Sequence, residues 1–277
     1  MYEIYDKIKL SENVIRFDII APDIAKTRKA GQFVLLLPTL ESERVPFTIM
    51  DSDCEKGTIS LIIQTVGTAT HKLAALNKGD SISAVVGPLG KPTDIENYGT
   101  VVCIGGGVGT AVMYPIAKEL KLAGCKIISI IGARSKNLLI LEKEMALVSD
   151  EIYVTTDDGS AGIKGLVTQP LLDTINKGVK INEVFAIGPA IMMKNVSALT
   201  KKYSLNTIVS LNSIMIDGTG MCGSCRVTVN GKTKFVCVDG PEFDAHSIDW
   251  DNLSIRQNAF KKHEKCSLDK YLEGIKK

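Results

Sequence analysis

The stretch Ile104-Gly105-Gly106-Gly107-Val108-Gly109-Thr110 decides how the chain is read. It follows an apolar run, Val101 to Ile104, and precedes a segment with Val112, Met113, Ile116 and Leu120 on one side, so it reads as the turn between a strand and a helix. Glycines in such a turn allow a tight backbone and bring N–H groups close to a pyrophosphate, whose charge is favoured at a helix N-terminus. Gly106, Gly107, Val108, Gly109 and Thr110 are therefore candidate nucleotide-binding residues. The spacing departs from Gly-x-Gly-x-x-Gly, and a plain strand-to-helix turn without a ligand is the competing reading. Thr100 to Ala117 carries no charge over 18 residues, but its four glycines and Pro115 suit strand, turn and helix better than a membrane span.

Beyond the glycine loop, apolar strand candidates alternate with helical patterns. The strands are Lys126 to Ile131, Glu151 to Thr155, Glu183 to Ile187 and Thr207 to Leu211. Leu138, Leu141, Met145 and Val148 recur at spacings of three and four and predict one helix face. This rhythm predicts a doubly wound parallel α/β sheet over residues 98–211. Gly132-Ala133-Arg134-Ser135 follows the second strand, where an NAD-type site would place an acidic residue. Arg134 suits a phosphate or an adenine face instead, or is an ordinary exposed arginine, so NAD and NADP both stay open.

Before the glycine loop, Val14 to Ile20, Phe33 to Leu37, Thr58 to Val66 and Ser81 to Val86 are short runs rich in Val, Ile and Thr, set apart by Gly31, Gly57 and Gly79. They predict an antiparallel β-barrel over residues 1–97, which closes its own edges, with a short helix at Thr70 to Leu76.

After Leu211 comes Asp217-Gly218-Thr219-Gly220-Met221-Cys222-Gly223-Ser224-Cys225, followed by Cys237. Cys-x4-Cys-x2-Cys with a distant fourth cysteine is the ligand spacing of plant-type [2Fe–2S] clusters, and here Asp217 takes the first position. A carboxylate can ligate iron, and glycines let such a loop wrap a cluster and turn backbone N–H groups toward its sulfides. A zinc site of three thiolates and one carboxylate is the competing reading of the same residues. Asp217, Cys222, Cys225 and Cys237 are the candidate ligands. Residues 212–245 form the predicted cluster segment and 246–277 a polar tail of no assigned structure.

The composition is that of a soluble globular protein without disordered or fibrous bias and excludes little else. In 277 residues, 45% are hydrophobic and 23% charged, and the net charge is +2. Basic residues are interleaved with acidic ones except in the last stretch, Lys261 to Lys277, which reads as a solvated surface, and this argues against nucleic-acid binding. Seven cysteines without a secretory leader point to a reducing, cytoplasmic setting rather than a disulfide framework.

The three regions, in this order and over nearly the whole chain, resemble the ferredoxin-NADP reductase superfamily, in particular its branch of electron-transfer subunits. The resemblance implies FAD, NAD(H) or NADP(H), and a [2Fe–2S] cluster as cofactors. Arg44-Val45-Pro46-Phe47-Thr48 matches the family's flavin motif, with Arg44 at the pyrophosphate and Thr48 near the ring, and Pro46 and Phe47 between them. Gln64, Val66, Gly67, Thr68 and Thr70 match its second flavin element, a glycine-threonine turn that opens a helix. Asp157, within Thr155 to Gly159, would border the nucleotide, and Gly188, Pro189 and Met192 would lie beside the nicotinamide. Within the branch, dihydroorotate dehydrogenase subunits use four cysteines, whereas the small subunit of the bifurcating NADH-dependent ferredoxin:NADP oxidoreductase has aspartate and three cysteines. Asp217 and the run Cys237 to Asp244 favour the latter. The resemblance then implies a larger subunit carrying FAD and [4Fe–4S] clusters, with ferredoxin as an indirect partner. Electron delivery to dihydroorotate dehydrogenase is the alternative, and a zinc-stabilised nucleotide-sensing module is the alternative from another class.

Overall fold

The computed structural model describes residues 1–275. The N-terminal part contains β1 (Tyr2–Ser11), β2 (Val14–Ile20), α1 (Pro22–Thr27), β3 (Phe33–Leu37), β4 (Val45–Asp53), β5 (Thr58–Gln64), α2 (Thr68–Ala75), β6 (Ser81–Ile82) and β7 (Ala84–Leu89). Its strands form an antiparallel sheet in the order β6-β1-β2-β5-β4-β3-β7, a nearly closed barrel. Alternation explains the closure: Phe17 and Ile19 of β2 point inward, where they join Leu36, Ile49, Leu61 and Ile63, with Ile15 packed on the same side. Each such fully buried side chain contributes roughly 1.5–3 kcal/mol. The strand expected over Ser81 to Val86 is split at Ser83: β6 pairs with β1, whereas β7 pairs with β3. The break at Ser83 lets the two halves pair with opposite ends of the closing sheet.

The second part contains β8 (Thr100–Gly106), α3 (Gly109–Leu122), β9 (Lys126–Ala133), α4 (Glu142–Leu147), β10 (Glu151–Thr156), β11 (Ile163–Lys164), α5 (Thr168–Asn176), β12 (Glu183–Ile187), α6 (Ala190–Lys202) and β13 (Thr207–Ser210). All five residues of β12 are buried, the continuous pattern of a strand covered on both faces. The helix face expected from Leu138 to Val148 is broken. A 3₁₀ turn spans Lys136–Leu138, and Leu141, with φ +56°, lies in the left-handed region just before α4. Ile140 and Leu141 leave the helical path to pack on Val14, Met50 and Ile62 of the barrel, so contact between the two parts overrides the local period.

The third part contains β14 (Arg226–Val229), β15 (Lys232–Phe235), α7 (Val236–Asp239), β16 (Glu242–Asp244), α8 (Trp250–Asn258) and α9 (Lys261–Ile275). β14 and β15 form a hairpin. β16 returns to the central sheet, antiparallel to β13, and completes the order β11-β10-β9-β8-β12-β13-β16. One hydrophobic core joins all three parts, because Phe33 and Leu35 of the barrel, Ile104 and Val209 of the central sheet, and Met215, Cys225 and Cys237 belong to a single cluster. Lys118 of α3 adds a polar tie, 3.2 Å from Asp51 of β4, which also pairs with Arg28. Among the described residues, no helix is long and apolar enough to cross a membrane.

Candidate functional site: a flavin cleft, a nucleotide crevice and a cluster loop

β8 is the first strand of the central sheet, β9 lies on one side of it and β12 on the other, so the direction of winding reverses between β8 and β12. Open α/β sheets bind ligands at the carboxyl ends of strands at such a switch point. Gly106 and Gly188 meet there: a Cβ on Gly188 would stand 3.1 Å from the Gly106 Cα, and one on Gly106 would stand 2.3 Å from Met192 Sδ. Gly109 is equally constrained, since its Cβ would meet the Ile187 carbonyl oxygen at 2.3 Å. Two of the loop's glycines, Gly106 and Gly109, therefore serve close packing with the segment from Ile187 to Met192. Gly107 differs, with φ +55° and open space where a side chain would be, although its N–H donates to the Gly132 carbonyl. Val108 precedes α3, and the Thr110 hydroxyl in its first turn is buried without a hydrogen-bond partner.

Arg134 and Asp157 occupy the neighbouring strand ends. Asp157 N–H donates to Ala133, Asp158 N–H donates to Arg134, and both Arg134 and Asp157 are exposed. The tips after β9 and β10 thus form one surface carrying both signs of charge, beside the glycine loop.

On the barrel, Pro46, Phe47 and Thr48 lie along β4 opposite Leu35, Val34 and Phe33. Gln64 ends β5, and the exposed Val66 leads to Gly67, which caps α2 with extended backbone. The Thr70 hydroxyl reaches back, accepting from the N–H groups of Val66 and Gly67 at 2.9 Å each and donating to the Gly67 carbonyl. Thr70 is therefore the clamp of this turn, and Gly67 is its cap. Thr68 and Ala69 begin the helix at its positive end, and Gly67 faces open space. This geometry fits an anionic diphosphate.

Arg44 does more than the flavin motif implies. Its guanidinium donates to the Ile216 carbonyl at 3.3 Å, one residue before Asp217. The loop after Asp217 rests on the barrel too, since a Cβ on Gly218 would stand 2.7 Å from Leu89 and 2.9 Å from Leu35. Gly218, Gly220 and Gly223 have φ of +75°, +84° and +66°, the left-handed turns that curl the loop.

The four candidate ligands fall into two pairs. Cys225 and Cys237 are buried with their sulfurs 3.2 Å apart, too far for a disulfide and close to the roughly 3.7 Å between two thiolates on one tetrahedral metal. Asp217 accepts from the N–H of Thr219 at 2.9 Å and of Cys222 at 2.7 Å, which puts its carboxylate beside exposed Cys222. Among the described residues no three His, Cys, Asp or Glu side chains converge as a single-metal site requires. Two pairs of donors suit a cluster of two irons better than one zinc. The pairs also differ electrostatically. The Thr219 N–H holds the Asp217 carboxyl below its usual range, and hydrogen bonding to Ser224 lowers the Cys222 thiol, whereas burial pushes Cys237 up to about 12.

Two features had no legible signal in the sequence. Arg256 of α8 donates to the Ser224 carbonyl at 3.0 Å and buttresses the cluster loop from the tail. Glu242 of β16 accepts from the Thr93 hydroxyl at 2.6 Å, beside Gly31, where barrel, linker and β16 meet. Burial raises its carboxyl to about 7.

Comparison with known proteins agrees with this geometry. Residues 212–249 match the model of the iron-sulfur cluster binding domain of dihydroorotate dehydrogenase B. The chain is 46% identical to a dihydroorotate dehydrogenase B (NAD(+)) electron transfer subunit homolog of Thermotoga maritima, over 98% of this chain and 95% of that one. It is 30% identical to the electron transfer subunit of dihydroorotate dehydrogenase B of Desulforamulus reducens, over 87% of this chain and 95% of that one. Among solved structures, it superposes with a TM-score of 0.92 on a chain of NADH-dependent reduced ferredoxin-NADP oxidoreductase, a structure that bears on flavin-based electron bifurcation, with 46% identity and 98% of each chain covered. Phthalate dioxygenase reductase, at 14% identity and a TM-score of 0.58, shares the fold. With close identity along almost its full length and the iron-sulfur domain in register with Asp217 to Cys237, this chain belongs to the family of dihydroorotate dehydrogenase B electron transfer subunits.

Proposed function

We propose that this chain passes electrons between a nicotinamide nucleotide, FAD and a [2Fe–2S] cluster, as the electron-transfer subunit of a larger soluble oxidoreductase. The observation that carries this reading is the Arg44–Ile216 hydrogen bond, which joins the flavin motif to the cluster loop. In this reading residues 1–97 hold FAD, with Arg44 and the first turn of α2 at the diphosphate and Pro46, Phe47, Thr48, Gln64 and Val66 lining the cleft. Residues 98–211 hold the nucleotide through Gly106 to Thr110, Arg134, Asp157 and the Gly188-Pro189-Met192 segment. Residues 212–245 hold the cluster through Asp217, Cys222, Cys225 and Cys237, and residues 246–277 form the tail. When bound, FAD supplies the conversion between two-electron nicotinamide chemistry and one-electron cluster chemistry. The chain's own residues do the positioning. The shared core and the Lys118–Asp51 tie fix barrel against central sheet, and the left-handed glycines keep the cluster loop against Leu35 and Leu89.

The partner in this reading is a larger subunit with FAD and [4Fe–4S] clusters, which completes an NADH-dependent ferredoxin:NADP oxidoreductase in the cytoplasm. The 0.92 superposition and Asp217 in place of a fourth cysteine support it over delivery to dihydroorotate dehydrogenase. The exposed side chains Ile216, Met221 and Val238 lie in the same cluster segment as exposed Cys222 and offer an apolar landing for that subunit. Anaerobically purified protein is expected to show flavin absorption, about two irons per chain and a reduced-cluster paramagnetic signal after NADH is added. The lone chain should reduce an artificial acceptor with NADH but fail to couple NADP and ferredoxin. A colourless, zinc-bearing protein that binds no FAD would overturn the assignment.

A further inference from the structure

The tail runs from one proposed cofactor site to another. α8 grips the cluster segment, with Arg256 on the Ser224 carbonyl and Gln257 donating to the Asn212 carbonyl at 2.7 Å. α9 then crosses to the barrel, where Ser267 Oγ lies 3.2 Å from Thr68 Oγ1, on the first residue of α2. No residue of α9 is buried; Leu268, Tyr271 and Leu272, neighbours on one helical face, are only half-covered. A helix of 15 residues that buries nothing contributes little stability to the fold, and its own amphipathic face still wants a surface. α9 packs on α2, the helix whose first turn has the geometry that fits a diphosphate. His263 and Lys270 stand one turn before and after Ser267 on its side of the helix, so basic groups flank the contact with Thr68.

We propose that α9 is a strap that closes over FAD: the Ser267–Thr68 contact latches it to the diphosphate end of the cleft, and its Leu268, Tyr271 and Leu272 face covers the adenosine arm of the bound dinucleotide. This rests on the reading of α2 as part of the FAD site. The strap retains the cofactor in the subunit, because release requires α9 to lift from α2. Its root in the cluster segment, through Arg256, makes the two cofactor sites mechanically continuous.

The test uses the full chain loaded with FAD and cluster, carrying Thr68→Cys and Ser267→Cys in a Cys266→Ser background. Diamide takes two electrons and two protons from the paired thiols and links α9 to α2; a phosphine reductant reopens the link. FAD release is followed by the rise of free-flavin fluorescence on dilution, with cluster absorption as the check that the protein stays folded. The linked form is expected to release FAD at least tenfold more slowly than the same protein after reduction, while the Ser267→Cys single variant is unaffected by diamide. Equal release rates with the link confirmed by mass, or failure of the link to form in folded protein, would overturn the strap. Absence of FAD from the unmodified chain would instead overturn the flavin assignment of α2, so the two failures are distinct.

Discussion

The glycine loop at 105–109 and the cluster loop at 218–223 look alike in composition, yet their glycines answer different demands. In the first, Gly105, Gly106 and Gly109 have ordinary backbone angles and are small because something else occupies the space: Thr110 at 2.8 Å, Met192 at 2.3 Å and the Ile187 carbonyl at 2.3 Å. In the second, Gly218, Gly220 and Gly223 are glycine because φ is positive, and Gly223 has only ordinary contact at 3.7 Å around it. Gly107 is the exception in the first loop and Gly218 meets both demands in the second, so close packing dominates one loop and backbone torsion the other. A glycine-rich motif therefore names no single physical cause, and substitution by alanine should separate the two.

The largest effect tests what the curled loop is for. Cys225→Ser removes one of the two buried, paired sulfurs, and iron per chain, measured by metal analysis, should fall from about two to near zero. Retention of a full cluster would mean that another residue ligates it. Gly109→Ala should destabilise by about 3 kcal/mol in denaturant unfolding, because a backbone carbonyl cannot yield to the new methyl. Gly106→Ala should cost clearly less, since the opposing atom belongs to the flexible Met192 side chain. If the two alanines cost the same, packing is not what selects glycine there.

Glu242 marks the seam between the regions and should reveal itself through pH. Its folded carboxyl is raised from 4.5 to about 7, so the native state holds the proton more tightly than the unfolded chain. Its unfavourable contribution is absent below about pH 4.5, grows as pH rises toward 7 and levels off above that, up to roughly 3 kcal/mol. Glu242→Gln, which is never charged, should gain stability relative to the wild type across that interval, seen as a pH-dependent gap between their unfolding midpoints. A gap independent of pH would show that the carboxyl does not stay protonated at the seam. The smallest effect closes the comparison: Gly223→Ala should cost only about 1–2 kcal/mol, the strain of a left-handed alanine, with iron content unchanged.

Much of the architecture was legible because it follows from local chemistry. Alternation in Val14 to Ile20 and the apolar run Val184 to Ile187 after Glu183 each allow one kind of strand, and the expected bounds agree with β2 and β12. The failures came where distant contacts outweighed local period. Leu138 to Val148 has helical spacing, but Ile140 and Leu141 gain more by packing on the barrel than by continuing a helix, so the segment breaks at a left-handed Leu141. The helix expected from Thr70 begins two residues earlier, at Thr68, because the Thr70 hydroxyl clamps a turn that begins at Gly67. The polar tail gave no strong periodicity because α9 buries nothing, and a buried stripe is what makes a helix visible in sequence.

The sequence by itself determined the identity and order of the parts: barrel, glycine loop, parallel sheet, and one aspartate with three cysteines at cluster spacing. Those are properties of neighbouring residues, and short-range sterics and hydrogen bonding suffice to express them. Only the tertiary structure decided that the ligands stand as two pairs, that Arg44 reaches Ile216, that Glu242 lies at a three-way junction and that Ser267 meets Thr68 across 199 residues. The first three depend on burying apolar surface between distant segments, a nonlocal gain that no stretch of the chain records alone, and the last is a polar contact between segments far apart in sequence.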